Sequence, residues 1–153
     1  MTRLAVPKTY KLYIGGKFPR SESGRTYEVL TKKGAFLANA SLASRKDARD
    51  AVVAARAALA GWSGATGYNR GQVLYRIAEL LEGRREQFVE ELVASEGLTK
   101  AAAAKQVDTA IDAWVWYAGW ADKLAYAFPG ATARPLGVAG QVIPWNFPLL
   151  MAA

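Results

Sequence analysis

Gly137-Val138-Ala139-Gly140-Gln141-Val142-Ile143-Pro144-Trp145-Asn146-Phe147-Pro148-Leu149-Leu150 is the stretch on which the reading of this chain turns. The run Leu136–Ile143 is short and apolar, which predicts a buried strand. Pro144 and Pro148 close it off, and Pro148 suits the first turn of a new helix, Pro148-Leu149-Leu150-Met151-Ala152-Ala153. A stub of six residues does not cover its own nucleation cost, so the chain is expected to be the front portion of something longer. Asn146 stands between Trp145 and Phe147, with prolines fixing the backbone on both sides. An amide held among apolar groups can donate a hydrogen bond to a developing oxyanion, worth about 2.7–4 kcal/mol in the transition state. The plainer alternative is an Asn that bonds its own backbone at a turn or helix start, and the residues alone favour it.

Outward from this stretch, composition removes whole classes of chemistry. The 153 residues match one ordinary domain, and with 52% hydrophobic residues a packed core is expected rather than disorder. There is no cysteine and no histidine, which excludes disulfides, thiolate nucleophiles, imidazole bases and the usual zinc and iron sites; no metal site is expected. Ser, Thr, Lys, Tyr, Asp and Glu remain as reactive side chains. The net charge of +7 is uneven: residues 1–46 carry +8 and residues 47–153 carry −1. The basic residues are scattered and match no nucleic-acid module, so a solvated surface is expected and no nucleic acid. No secretory leader is visible at the start. The stretch Pro135–Ala153 is uncharged, but Gly140, Gln141, Pro144, Asn146 and Pro148 argue against a membrane span. A soluble, cytoplasmic protein is expected.

The first part of the chain reads as strands and turns. Tyr10–Ile14 is predicted as a strand, Gly15-Gly16 as a turn and Lys17-Phe18 as the return. Thr26–Leu30 and Ala35–Ala40 flank Lys32-Lys33-Gly34 as a second hairpin. At Ser44 the period changes, and Ser44-Arg45-Lys46-Asp47 reads as a near capping box. Ala48, Ala51, Val52, Ala55, Ala58, Leu59 and Trp62 then follow helical spacing, up to a loop at Gly61–Gly67. From about Tyr68 to Ser95 a second helical stretch is interrupted at Gly83, by a bend or by a break into two helices. A third helix is predicted from near Thr99 to about Ala125, with Val107, Ile111, Trp114, Val115 and Ala118 as its stripe. Its aromatic half, Trp114, Trp116, Tyr117, Trp120 and Tyr126, has no interleaved basic residues and points to packing rather than base stacking.

Gly137–Leu150 resembles the Gly-Val-x-Gly-x-Ile-x-Pro-Trp-Asn-Phe-Pro signature of the NAD(P)-dependent aldehyde dehydrogenase superfamily. Trp116-Tyr117-Ala118-Gly119-Trp120-Ala121-Asp122-Lys123 is similar to the family's helix before that motif. Leu12-Tyr13-Ile14-Gly15-Gly16-Lys17 and the Ala51–Trp62 helix also resemble family segments, in the same order. The resemblance implies an α/β fold corresponding to the N-terminal part of the aldehyde dehydrogenase fold. Residues 1–43 would form strands and hairpins. Residues 44–128 would form a layer of three or four helices. Residues 129–153 would form a shortened linker, a strand and the start of an incomplete dinucleotide-binding domain.

It further implies NAD or NADP as cofactor and an aldehyde as substrate, oxidised to a carboxylate through a cysteine thiohemiacetal. Asn146 would supply the side-chain half of the oxyanion hole. Ile143, Pro144, Trp145 and Asn146 would line the nicotinamide-ribose side of the cofactor site, and Phe147 and Met151 the substrate tunnel. The family's cysteine nucleophile and glutamate base lie downstream of this motif, so this chain alone is expected to be inactive. The segment between Lys123 and Gly137 is shorter than in the family, and Ala131-Thr132-Ala133-Arg134-Pro135 does not resemble the family's subunit-bridging arm. A homo- or hetero-oligomer is still expected. A second reading makes the chain a non-catalytic interaction module that pairs with a full-length paralogue or a separately encoded remainder.

Overall fold

Glycine turns and alternating residues build a small sheet first. The structure, a computed structural model, describes residues 7–153; the reading of the first residues as lacking a leader lies outside that range. Three strands, β1 (Thr9–Tyr10), β2 (Thr26–Leu30) and β3 (Phe36–Ser41), lie in the order β1-β3-β2. β2 runs antiparallel to β3, with Thr26 opposite Ser41 and an irregularity between Val29 and Leu30. β1 runs parallel to β3, Thr9 facing Asn39 and Tyr10 facing Ala40. Residues expected to extend β1 as far as Ile14 do not join the sheet. Instead Ile14 and Lys17 form a single bridge, with N–H to carbonyl distances of 3.0 and 3.1 Å in the two directions. Gly15 and Gly16 between them both have positive φ, 57° and 78°, as a two-residue turn of that hand requires.

The chain divides into two compact units. One holds the chain as far as Ala58 together with Ala94–Gly97, and so contains the sheet and the start of α1 (Arg45–Gly64). The capping box there is complete. Ser44 Oγ accepts the N–H groups of Lys46 and Asp47 at 3.2 and 3.3 Å, and the Asp47 carboxylate accepts the N–H of Ser44 at 2.8 Å. Asp47 also receives the Ser21 hydroxyl at 2.7 Å and the Glu22 N–H at 3.1 Å. These donors, the Ser44 N–H foremost and Ser21 next, hold its carboxyl down at about 2 although the residue is buried. The stripe of α1 is less covered than its periodicity suggests: Val52 is exposed, and Asp47 is the helix's only buried residue. The helix also passes through Gly61, where a loop was expected, because a helical glycine costs only about 1 kcal/mol.

The other unit comprises Leu59–Val93 and Leu98–Ala153. It holds the end of α1, α2 (Gly67–Glu82), α3 (Arg85–Glu96) as far as Val93, α4 (Lys100–Trp120), α5 (Leu124–Ala127) and α6 (Pro148–Ala152). Gly83 and Arg84 separate α2 from α3, so the interruption is a break into two helices. Thr66 and Thr99 cap α2 and α4, their hydroxyls accepting the N–H groups of Asn69 and Ala102 at 3.1 and 3.2 Å. Ala78, Val89, Leu92, Ala103, Val107 and Ile111 form the buried core of this unit, with Leu81, Phe88, Trp114 and Leu149 packed against it. Gly67 and Gly71 let α2 approach α4 closely. A Cβ on Gly67 would lie 2.6 Å from the Ala121 carbonyl oxygen, and one on Gly71 2.9 Å from that of Ala118. Arg85 closes the other end with a forked contact to Asp108 at 2.6 and 2.8 Å.

The strand expected over Leu136–Ile143 does not form. All of 122–147 is exposed, and Val142 retains 98% of its accessible surface. A strand exists only against a neighbour, and no described residue pairs with this run. Among the described residues, no helix is long and apolar enough to cross a membrane.

Candidate functional site

Pro144 to Phe147 carries the chain through a bend into α6. Phe147 sits in the left-handed region at φ 55° and ψ 43°, the only described non-glycine residue with positive φ. A residue before proline is pushed off the right-handed helical region, and here the bend resolves that conflict to the left-handed side. Pro148 then occupies the first turn, where its missing N–H costs nothing. The Met151 N–H reaches the Phe147 carbonyl at 2.9 Å and closes the turn. Asn146 does not cap this helix; Phe147 holds the cap position and no side chain closes it.

α6 is held to α4 through Leu149, which packs on the core. Between the two helices lies a cavity of about 300 Å³, lined by Leu98, Ala102, Lys105, Gln106, Thr109, Phe147 and Leu150. Its walls are largely apolar. Lys105 is its one charged residue, and it holds no carboxylate that could act as a base. Gln106 is buried and its Oε1 has no hydrogen-bond partner among the described residues. The Thr109 hydroxyl is turned back to the Lys105 carbonyl at 2.8 Å.

Of the residues singled out from sequence, Phe147 lines this cavity and Met151 does not. Asn146, Ile143 and Pro144 are exposed, and Trp145 is 85% exposed. Ile143 to Asn146 therefore offers one open surface and no enclosure for a dinucleotide. Lys105, Gln106 and Thr109 were not identified in advance. The available signal was Gln106, a polar residue interrupting the buried stripe of Ala103, Val107 and Ala110 on α4. Among the described residues no group of three or more acidic, Cys or His side chains could hold a metal. The aromatic half of α4 is mixed: Trp114 packs on the core, while Trp116 and Tyr117 are exposed.

Comparison with known proteins places this geometry. The profile of the aldehyde dehydrogenase family matches residues 18–153. Cytosolic 10-formyltetrahydrofolate dehydrogenase of Mus musculus is 34% identical over 97% of this chain, which spans 18% of that relative. An aldehyde dehydrogenase of Emericella nidulans is 36% identical over 92% of the chain, equivalent to 30% of that protein. Among solved structures, an NAD-dependent aldehyde dehydrogenase from Sinorhizobium meliloti superposes with a TM-score of 0.84 at 27% identity, covering 96% of this chain and 32% of that one. A betaine aldehyde dehydrogenase from Staphylococcus aureus, solved with NAD+, gives a TM-score of 0.72 at 26% identity over 74% of this chain and 23% of that one. The chain thus spans under a third of the length of these proteins.

Proposed function

The chain belongs to the aldehyde dehydrogenase family, and from that premise we propose that it contributes one wall of a site that oxidises an aldehyde to a carboxylate with NAD or NADP. The placement of Asn146 carries the reading. It stands in the bend immediately before α6, and the next residue, Phe147, faces the cavity against α4. Asn146 is assigned the side-chain donor to the oxyanion that forms when a thiolate adds to the aldehyde carbonyl. Ile143, Pro144 and Trp145 are assigned the nicotinamide-ribose side of the cofactor. Phe147 is assigned the substrate wall, and Met151, outside the cavity, a more distant part of the same tunnel.

The thiolate and the hydrolytic base must come from elsewhere, because the chain contains no cysteine and its cavity no carboxylate. The expected working form therefore brings this chain together with Cys-bearing family sequence, in one polypeptide or in a hetero-oligomer, in the cytoplasm. Purified chain mixed with an aldehyde panel and NAD+ or NADP+ is expected to form no NAD(P)H, and turnover by the chain alone overturns the proposal. Mixed with the Cys-bearing remainder of a family enzyme it is expected to restore turnover. Asn146→Ala in that mixture should lower kcat by about 10²–10³. Restored activity that ignores this substitution removes Asn146 from the role.

The second reading, a non-catalytic interaction module, is favoured by the exposed Trp116, Tyr117 and Trp145. It is separated from the first by co-purification with a paralogue without any gain in turnover.

A further inference from the structure

In the unit that holds the sheet, the turn Ser21–Gly24 is closed by the Gly24 N–H to the Ser21 carbonyl at 2.9 Å, with Gly24 at φ 67°. Arg20 and Arg25 flank this turn, one on each side. Both line a cavity of about 140 Å³ with Thr9 of β1, Thr26 of β2, Ser41 of β3, and Ser21 and Gly24 of the turn itself. Neither guanidinium has an ion-pair partner among the described residues. Two acids near the turn, Glu22 within it and Asp47 bonded to it, are occupied elsewhere. Asp47 is saturated by Ser21, Glu22 and Ser44, and Glu22 faces Lys46 at 3.6 Å and the Ser44 hydroxyl at 3.1 Å.

We propose that this cavity is a phosphate-binding site, taking inorganic phosphate or the terminal phosphate of a small phosphomonoester. Arg20 and Arg25 both line this one small cavity; two guanidinium forks offer more donors than a single carboxylate has lone pairs, and their paired charge matches a phosphate dianion. Thr9 and Thr26, in the same lining, bring two more residues with hydroxyl donors. The Ser41 hydroxyl is already committed to the Tyr10 carbonyl at 3.0 Å and is left to accept. The site is also held in shape before any ligand arrives. The buried Asp47 pins the turn through the Ser21 hydroxyl and the Glu22 N–H, so little loop ordering is left for binding. This site stands apart from the aldehyde reading and does not depend on it.

The test is calorimetric titration of the full chain with potassium phosphate, and separately with methyl phosphate, against potassium chloride at matched ionic strength. Saturable binding of phosphate is expected, weakened by about tenfold or more in R20Q/R25Q and unchanged in R49Q/R56Q, which removes the same charge from α1. Methyl phosphate binding as well as phosphate identifies a phosphomonoester as the ligand; phosphate binding alone identifies the free ion. Phosphate should also shield Arg20 and Arg25 from modification by phenylglyoxal, a readout that needs no variant. The proposal is overturned if chloride gives the same heats, or if the two double variants weaken binding equally. It is overturned too if an oligonucleotide without terminal phosphates competes at equal phosphate concentration, or if neither arginine is shielded.

Discussion

Asp47 is the residue on which most local order in the sheet-bearing unit converges. Its carboxylate accepts from Ser44, Ser21 and Glu22, and its carboxyl lies at about 2 instead of 3.8. The folded chain therefore holds this group charged where an unfolded chain would take up a proton. Its contribution is complete above about pH 4 and is lost as the pH falls towards 2. Thermal melts across this range should show stability declining with acid. Asp47→Asn should melt lower at neutral pH and show a flatter decline; equal slopes for the two proteins refute the assignment. Half of this arrangement was legible in the sequence, because Ser44 and Asp47 stand at the spacing of a capping box. The other half was not, since Ser21 lies 26 positions away and only the folded turn brings it to the carboxylate. Asn146 shows the same division. Its flanking prolines marked a rigid bend, but nothing in that stretch showed which residues of α4 would line the cavity with Phe147, and on α4 only the polar Gln106 in the buried stripe gave a sign.

At the scale of elements, the contact between α2 and α4 is governed by what is missing from two positions. Gly71→Ala would drive a methyl to within 2.9 Å of the Ala118 carbonyl oxygen and should cost about 1–3 kcal/mol. Gly119→Ala, on the same pair of helices, meets nothing within 4 Å and should stabilise by about 0.5–1 kcal/mol. Urea melts of the two variants give opposite shifts if close approach is the cause, and shifts of one sign if only helix propensity matters. The helical pattern held in part: Val107 and Ile111 are buried as the stripe required and α4 begins directly after Thr99, while Val52 of α1 and Val115 of α4 are exposed. The strand over Leu136–Ile143 failed for a physical reason. A helix satisfies its own backbone, whereas a strand borrows its partner, and an apolar run carries no record of whether that partner is at hand.

For the whole molecule, the contrast lies between the core of Val89, Leu92, Val107 and Ile111 and the exposed run that leads from α5 to α6. That run has a consequence for proteolysis. A protease needs several residues of accessible, extended backbone, and the stretch around Leu136 to Trp145 supplies them. Trypsin should spare it nonetheless: Arg134 is the one basic residue between Lys123 and Ala153, and Pro135 follows it. Chymotrypsin should cut early after Leu136 and Trp145. The larger product should keep its helical circular dichroism, because from the far side of that run the core takes only Leu149. Mass spectrometry of timed digests checks this, and first cuts within α2 or α4 would contradict it. Once Trp145 is cut from Asn146, the amide assigned to the oxyanion leaves on a peptide of eight residues. A brief digest therefore removes Asn146 while keeping the helices, and it does so without a substitution.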